Sequence, residues 1–121
     1  NFLPARRTAA GLEVAGCALQ ATTRMPEGAD LFTLGVRPEY VTLAEASDAG
    51  TVPAKVTQVQ DIGTYWLVTA TVGFGPDAAT VRARTGRDQP IPNVGAPVWL
   101  SIVGTHTCYY RNDQLIPDAL P

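Results

Sequence analysis

Thr64-Tyr65-Trp66-Leu67-Val68-Thr69-Ala70-Thr71-Val72 is the stretch on which the fold reading turns. Trp66, Val68, Ala70 and Val72 alternate with Tyr65, Leu67, Thr69 and Thr71. The period is two and the residue types are mostly β-branched or aromatic, so the stretch reads as a strand. Upstream, Val52, Ala54 and Val56 keep the same period, and the apolar position then slips by one to Val59. One extra residue in a strand marks a β-bulge. Asp61-Ile62-Gly63-Thr64 joins the two runs as a hairpin or a sharply bent pair.

Working outward, Ala79 to Arg84 turns Val81 and Ala83 to one face and Thr80, Arg82 and Arg84 to the other. Val98, Leu100 and Ile102 point inward from a run ending at Val103, and Thr107 to Arg111 is extended and aromatic. Leu31 to Val36 is a strand leading into Arg37-Pro38-Glu39, while Phe2 to Ala5 and Leu12 to Leu19 carry weaker strand patterns. Pro26 to Asp30 and Gly73 to Asp77 read as turns or loops. The helical candidates are short, such as Val41 to Ala46. Eleven glycines and ten prolines, spread along the chain, punctuate short elements. About eight short, mostly antiparallel strands in an all-β domain point to a small β-barrel or sandwich.

The 121 residues suit one domain, 1–121. With 45% hydrophobic and 17% charged residues, the chain can bury a core. A net charge of −2 leaves no basic surplus to hold a nucleic-acid backbone or an anionic membrane, so no nucleic-acid partner is expected. No apolar run approaches the ~20 residues of a membrane-spanning helix. The opening Asn1 to Arg7 lacks the basic-then-apolar order of a signal peptide, and a start without Met suggests a piece of a longer protein. Cys17 and Cys108 are then expected as reduced, partly buried thiols.

The chain offers little catalytic machinery. It has no glycine-rich loop ending in Gly-Lys-Ser or Gly-Lys-Thr, and Gly73-Phe74-Gly75 lacks a third glycine at the required spacing. His106 is the sole histidine, and in a strand it would share a face with Cys108. No nucleophile motif accompanies the pair, and with Cys17 it still lacks a fourth metal ligand. Glu39, Glu45 and Asp48 form no fixed carboxylate pair. Arg82, Arg84 and Arg87, with Tyr65 or Trp99, suggest a single-strand platform, but the acids leave no net positive stripe, so a solvated strand face is the expectation. Catalytic, cofactor-binding and metal residues are therefore expected to be none.

Leu34-Gly35-Val36-Arg37-Pro38-Glu39-Tyr40-Val41-Thr42-Leu43 carries the functional reading. It resembles the Gly-(Ile/Val)-Arg-Pro-Glu-His signature in the C-terminal regulatory domain of ABC-importer ATPases of the maltose and glycerol-phosphate class. The flanks are similar too. Asn1-Phe2-Leu3-Pro4 looks like the lead-in after an ATPase domain, and Pro26-Glu27-Gly28-Ala29 stands at the usual distance before the signature. Val52–Gly63 looks like the strand pair that follows it, and Gly95-Ala96-Pro97-Val98-Trp99-Leu100 like the late Gly-x-x-Val-x-Leu strand. Tyr40 stands where the family often has His, and Asp61-Ile62-Gly63-Thr64-Tyr65-Trp66-Leu67 looks closer to importers of glycerol or related polyols and their phosphates.

The resemblance implies a TOBE-type, OB-like β-barrel that does no chemistry itself. It implies a missing N-terminal ATPase domain, which would hold the ATP and Mg, and pairing of two subunits across the ATPase dimer. It also implies contact with permease subunits through that domain, a regulatory protein as a possible partner, and a place on the cytoplasmic side of the bacterial inner membrane. Gly35, Arg37, Pro38 and Glu39 are expected to be structural: Gly35 for close approach, Pro38 for a strand end, Arg37 and Glu39 as neighbours on one face if the segment is extended. Tyr65, Tyr109 and Tyr110 are the candidate exposed interface aromatics. The alternative is a stand-alone module of the same fold binding an oxyanion or small metabolite, with Arg37 or Arg82 and nearby threonines as donors.

Overall fold

The computed structural model describes residues 1–8, 11–19, 31–44, 50–73, 75–104, 106–111 and 114–116. Eleven strands succeed one another among these residues. They are β1 (Phe2–Thr8), β2 (Gly11–Val14), β3 (Cys17–Leu19), β4 (Leu31–Gly35), β5 (Thr42–Ala44) and β6 (Thr51–Asp61). β7 (Tyr65–Val72), β8 (Ala79–Gly86), β9 (Pro97–Ser101), β10 (Cys108–Arg111) and β11 (Gln114–Ile116) follow. Two 3-10 turns, Pro38–Tyr40 and Gly75–Asp77, interrupt them. The strands form two curled antiparallel sheets, ordered β11-β10-β4-β1-β2-β3 and β5-β9-β6-β7-β8. This is an all-β, OB-like half-barrel: the alternation predicts a small β-barrel or sandwich, and the OB-like form is the one the resemblance implies.

Alternation builds the core between the sheets. Leu3, Val14, Phe32, Leu34 and Tyr109 face inward from the six-stranded sheet, and Val52, Ala70, Val72, Val81 and Leu100 from the five-stranded one. The bulge lies where the sequence places it. Val56 pairs with Ala70 and Gln58 with Thr69, which leaves Thr57 as the extra residue. Val56 and half-buried Val59 thereby stay on the inner face although three residues apart.

Prolines sit in two central strands without breaking them. Pro4 lies just before the β1 residues that β2 pairs, and Pro53 just before the β6 residues that β7 pairs. Each is ladder-paired on one side only, Pro4 with Thr33 and Pro53 with Trp99. On its other side Pro4 meets the turn residue Ala15, whose N–H donates to the Pro4 carbonyl at 2.8 Å, so the missing proline N–H falls at the end of the β1–β2 ladder. The edge of β8 is capped by a side chain: Asn1 Nδ2 donates to the Arg82 carbonyl at 2.8 Å, and the Arg82 N–H donates to Asn1 Oδ1 at 2.8 Å.

The β6–β7 hairpin closes with Gly63 at φ 108 and the Ile62 N–H donating to the Tyr65 carbonyl. Asp61 accepts from Arg87 and from the Gly63 N–H. The Arg87 hydrogen bond foremost, and then that of Gly63, hold the Asp61 carboxyl below the usual aspartate range. A depressed folded-state pKa means stability that is present above the unfolded-state pKa and lost as pH falls through the folded value. Wild type is therefore expected to lose slightly more stability than Asp61→Asn between pH ~7 and pH ~2, a difference read from urea midpoints at each pH. Parallel losses in the two proteins would exclude the contact.

Several expectations change. Val41 to Ala46 does not begin a helix: Thr42–Ala44 is strand β5, paired with β9, and residues 45–46 lie outside the described ones. The local helical signal yields there to a cross-strand partner. Leu12 to Leu19 is two strands, split by a turn at Ala15 (φ 50) and Gly16 (φ 83). Pro26 to Asp30 lies outside the described residues.

Candidate functional site

The Leu34–Leu43 segment leaves the six-stranded sheet, makes one tight turn and enters the five-stranded sheet. Arg37 is extended, with φ −72 and ψ 149, as a residue before proline must usually be. Pro38 then opens the 3-10 turn, where its fixed φ fits and no N–H is needed. The Tyr40 N–H donates to the Arg37 carbonyl at 2.9 Å, and the Val41 N–H to that of Pro38 at 3.2 Å. Buried Val36 and Val41 anchor the turn at both ends, and it packs against β8.

This geometry corrects the extended reading of the signature. Extended backbone ends at Arg37 and Glu39 lies inside the 3-10 turn, so the two do not stand two apart on one strand face. Both are exposed, and among the described residues neither joins an ion pair. The turn thus presents a separate cation and anion to solvent. A Cβ at Gly35 would lie 2.8 Å from Tyr110 Cε2 and 3.3 Å from Phe2 Cε1. Its absence lets the two rings meet edge-to-face, 5.8 Å apart at 68°.

Tyr40, standing in the signature's usual His position, stacks on His106 with centroids 3.8 Å apart and planes 10° apart. Thr107 holds the loop bearing His106: its Oγ1 donates to the Ile102 carbonyl at 2.7 Å and accepts from the Gly104 N–H at 2.9 Å. His106 therefore precedes β10 in a turn and does not share a strand face with Cys108. Among the described residues no group of three or more His, Cys, Asp or Glu gathers around a common point.

The two thiols differ. Cys108 is exposed, against the expectation that both are partly buried, because β10 turns it outward at its first residue. Burial pushes the half-buried Cys17 thiol up; a hydrogen bond with the Gly73 backbone pulls the other way, and Glu13 adds a smaller upward push. Since the thiolate is the nucleophile, iodoacetamide at pH ~8 is expected to label Cys108 well ahead of Cys17, as peptide mapping reads it. Equal rates would contradict the placement of Cys17.

The three interface tyrosines separate as well. Tyr109 is 2% exposed, edge-to-face with Phe32 in the core, so it is not an exposed aromatic. Its register partner is buried Leu34, which fixes its face. Tyr110 is half-buried against Phe2, and half-buried Tyr65 lies beneath the Arg84 guanidinium at 4.0 Å. Trp66 likewise lies under Arg87 at 4.8 Å, so these aromatic faces are taken by the chain's own arginines. The exposed aromatic that sequence reading passed over is Phe2, because an apolar residue in a strand reads as core.

A groove of about 550 Å³ opens between β5 and β8, lined by Thr42, Leu43, Arg84, Thr85, Ile91 and neighbouring prolines. Arg37 and Arg82, the donors expected for an oxyanion, do not line it. Among its described lining residues the one cation is Arg84, which already rests on Tyr65.

A family model described as TOBE domain matches residues 34–108, from the signature through the first residue of β10. The chain belongs to the TOBE domain family. TOBE domains are non-catalytic modules generally found in the ATPase subunits of ABC transporters. No curated protein matches the sequence. The matched part of this TOBE domain contains the whole five-stranded sheet, the signature turn and the His106 loop, and β1 to β3 stand outside it.

Proposed function

We propose that this TOBE domain is the regulatory and dimerisation domain of an ABC-importer ATPase subunit. The observation that carries the proposal is the family match across the Arg37-Pro38-Glu39 turn and the sheet it joins. The imported solute is a carbohydrate, a polyol such as glycerol, or a glycerol phosphate; the Asp61–Leu67 stretch and its similarity to polyol-type importers support that class.

In this reading an ATPase domain preceding the chain binds ATP and Mg and contacts the permease subunits. The TOBE domains of two subunits hold the pair together while the ATPase domains open and close. The complex sits at the cytoplasmic side of the bacterial inner membrane through protein contacts, and a regulatory protein is a further partner. The exposure of Arg37 and Glu39 at this turn supports a contact with a neighbouring domain.

The mass of the native polypeptide tests the proposal, read by immunoblot with antibody to this domain. A band larger than 12.8 kDa by roughly 150–250 residues is expected. A band at 12.8 kDa would overturn the reading.

A further inference from the structure

The outer face of the six-stranded sheet carries an apolar patch. Register sets Phe2, Pro4 and Arg6 of β1 opposite Gly35, Thr33 and Leu31 of β4, with Tyr110 on the far side of Thr33. Phe2 and Leu31 are each 69% exposed, the highest values among the described large apolar side chains. Pro4 is exposed between them, and Thr33 and Tyr110 are half-buried. Single exposed apolar residues are ordinary, but several on one sheet face mark an interaction surface.

The charges beside the patch indicate what covers it. Arg6 Nε lies 3.6 Å from Glu13 Oε1, so among the described residues this margin carries a cation and an anion side by side. Such a margin is complementary to itself. A two-fold rotation sets apolar centre on apolar centre and brings Arg6 within reach of Glu13 in a second copy. A partner of one charge sign gains no such match. The outer face of the five-stranded sheet is different: by register it presents Lys55, Arg82 and Arg84 with no carboxylate among its described residues. Two copies of that face would repel.

We propose that the Phe2, Pro4, Leu31 and Tyr110 face is the surface through which two copies of this chain dock. The inference rests on the reading of the domain as a paired one, and it names the surface. Of the three tyrosines singled out in the sequence, Tyr110 alone belongs to it.

Sedimentation of the 121-residue chain from about 1 µM to about 500 µM tests the surface, over the range in which modest interfaces associate. A monomer–dimer equilibrium is expected. Leu31→Glu should weaken it roughly tenfold or more, as loss of a central contact does. Lys55→Glu, on the other sheet, should leave it unchanged. Arg6→Glu should weaken it, and Arg6→Glu with Glu13→Arg should restore it.

Leu31 is largely exposed, so its substitution spares the core; circular dichroism checks the fold. Cys108 gives a readout without substitution. It pairs with Gly35 in the row that holds Phe2, so its alkylation should slow as the wild-type chain is concentrated. A chain monomeric throughout, or a dimer indifferent to Leu31→Glu, overturns the docking face. A monomeric chain together with a native band of ATPase size overturns the face alone. A Leu31-dependent dimer together with a native band at 12.8 kDa overturns the transporter reading alone.

Discussion

Gly73→Ala is expected to destabilise the domain by about 3–5 kcal/mol, enough to unfold much of the population if total stability is at the low end of the usual range. Two causes act together. Gly73 has φ +81, a left-handed conformation that costs an L-residue roughly 1–2 kcal/mol. Its Cβ would also stand 2.1 Å from the Ala15 carbonyl oxygen and 3.2 Å from the carbonyl carbon. Those atoms are backbone, in a turn where Ala15 is itself at φ 50 and its N–H donates to the Pro4 carbonyl. They cannot swing away as a side-chain tip can, so β2, β3 or β7 must shift. Gly75→Ala is the control, since Gly75 has φ +64 but open space around it; a loss of about 1 kcal/mol is expected there. Urea midpoints of the two variants decide the matter, and equal losses would mean that the β2–β3 turn does not meet the end of β7.

Leu100→Ala is expected to cost about 3–5 kcal/mol, the usual loss for a fully buried leucine whose cavity cannot collapse. Leu100 is 0% exposed, paired with Val52 on one side and Leu43 on the other, and faces the six-stranded sheet. With strands fixed on both flanks, little backbone is free to close the void. Val94→Ala, at a site 65% exposed, should stay within about 0.5 kcal/mol of wild type. A Leu100→Ala protein no less stable than Val94→Ala would mean that β9 does not lie over the core.

The residues make plain why some of this was legible in the sequence. The β6–β7 pair and its bulge are local, and the slip from Val56 to Val59 records the extra residue directly. Four strands of the five-stranded sheet, β6 to β9, show such periods; β5 does not, and its three residues take their form from pairing with β9. The signature turn was harder to read, since Arg-Pro is extended whether a strand or a 3-10 turn follows; hydrogen bonds from Tyr40 and Val41 decide it. Tyr109 and Tyr110 are adjacent and alike, so no period distinguishes them. The distant pairing of Tyr109 with Leu34, and of Tyr110 with Thr33, sends one inward. Phe2 and Leu31 have core residue types, and the outer face they occupy is set by registers between separate parts of the chain. Gly73 offered only a loop signal, because its demand comes from the Ala15 carbonyl.

The two sheets also differ in how the chain supplies them. The five-stranded sheet comes from one continuous span, Thr42 to Ser101. The six-stranded sheet takes β1 to β4 from one end of the chain and β10 and β11 from the other. Loop-closure entropy makes distant pairings slow to form. The β6–β7–β8 meander can therefore form early during synthesis, while β4 keeps an unpaired edge until β10 has left the ribosome. In that interval Leu34 lacks Tyr109 as its cross-strand neighbour. The nascent chain is then most open to wrong partners at the edge of β4, and seating β10 there ends that exposure.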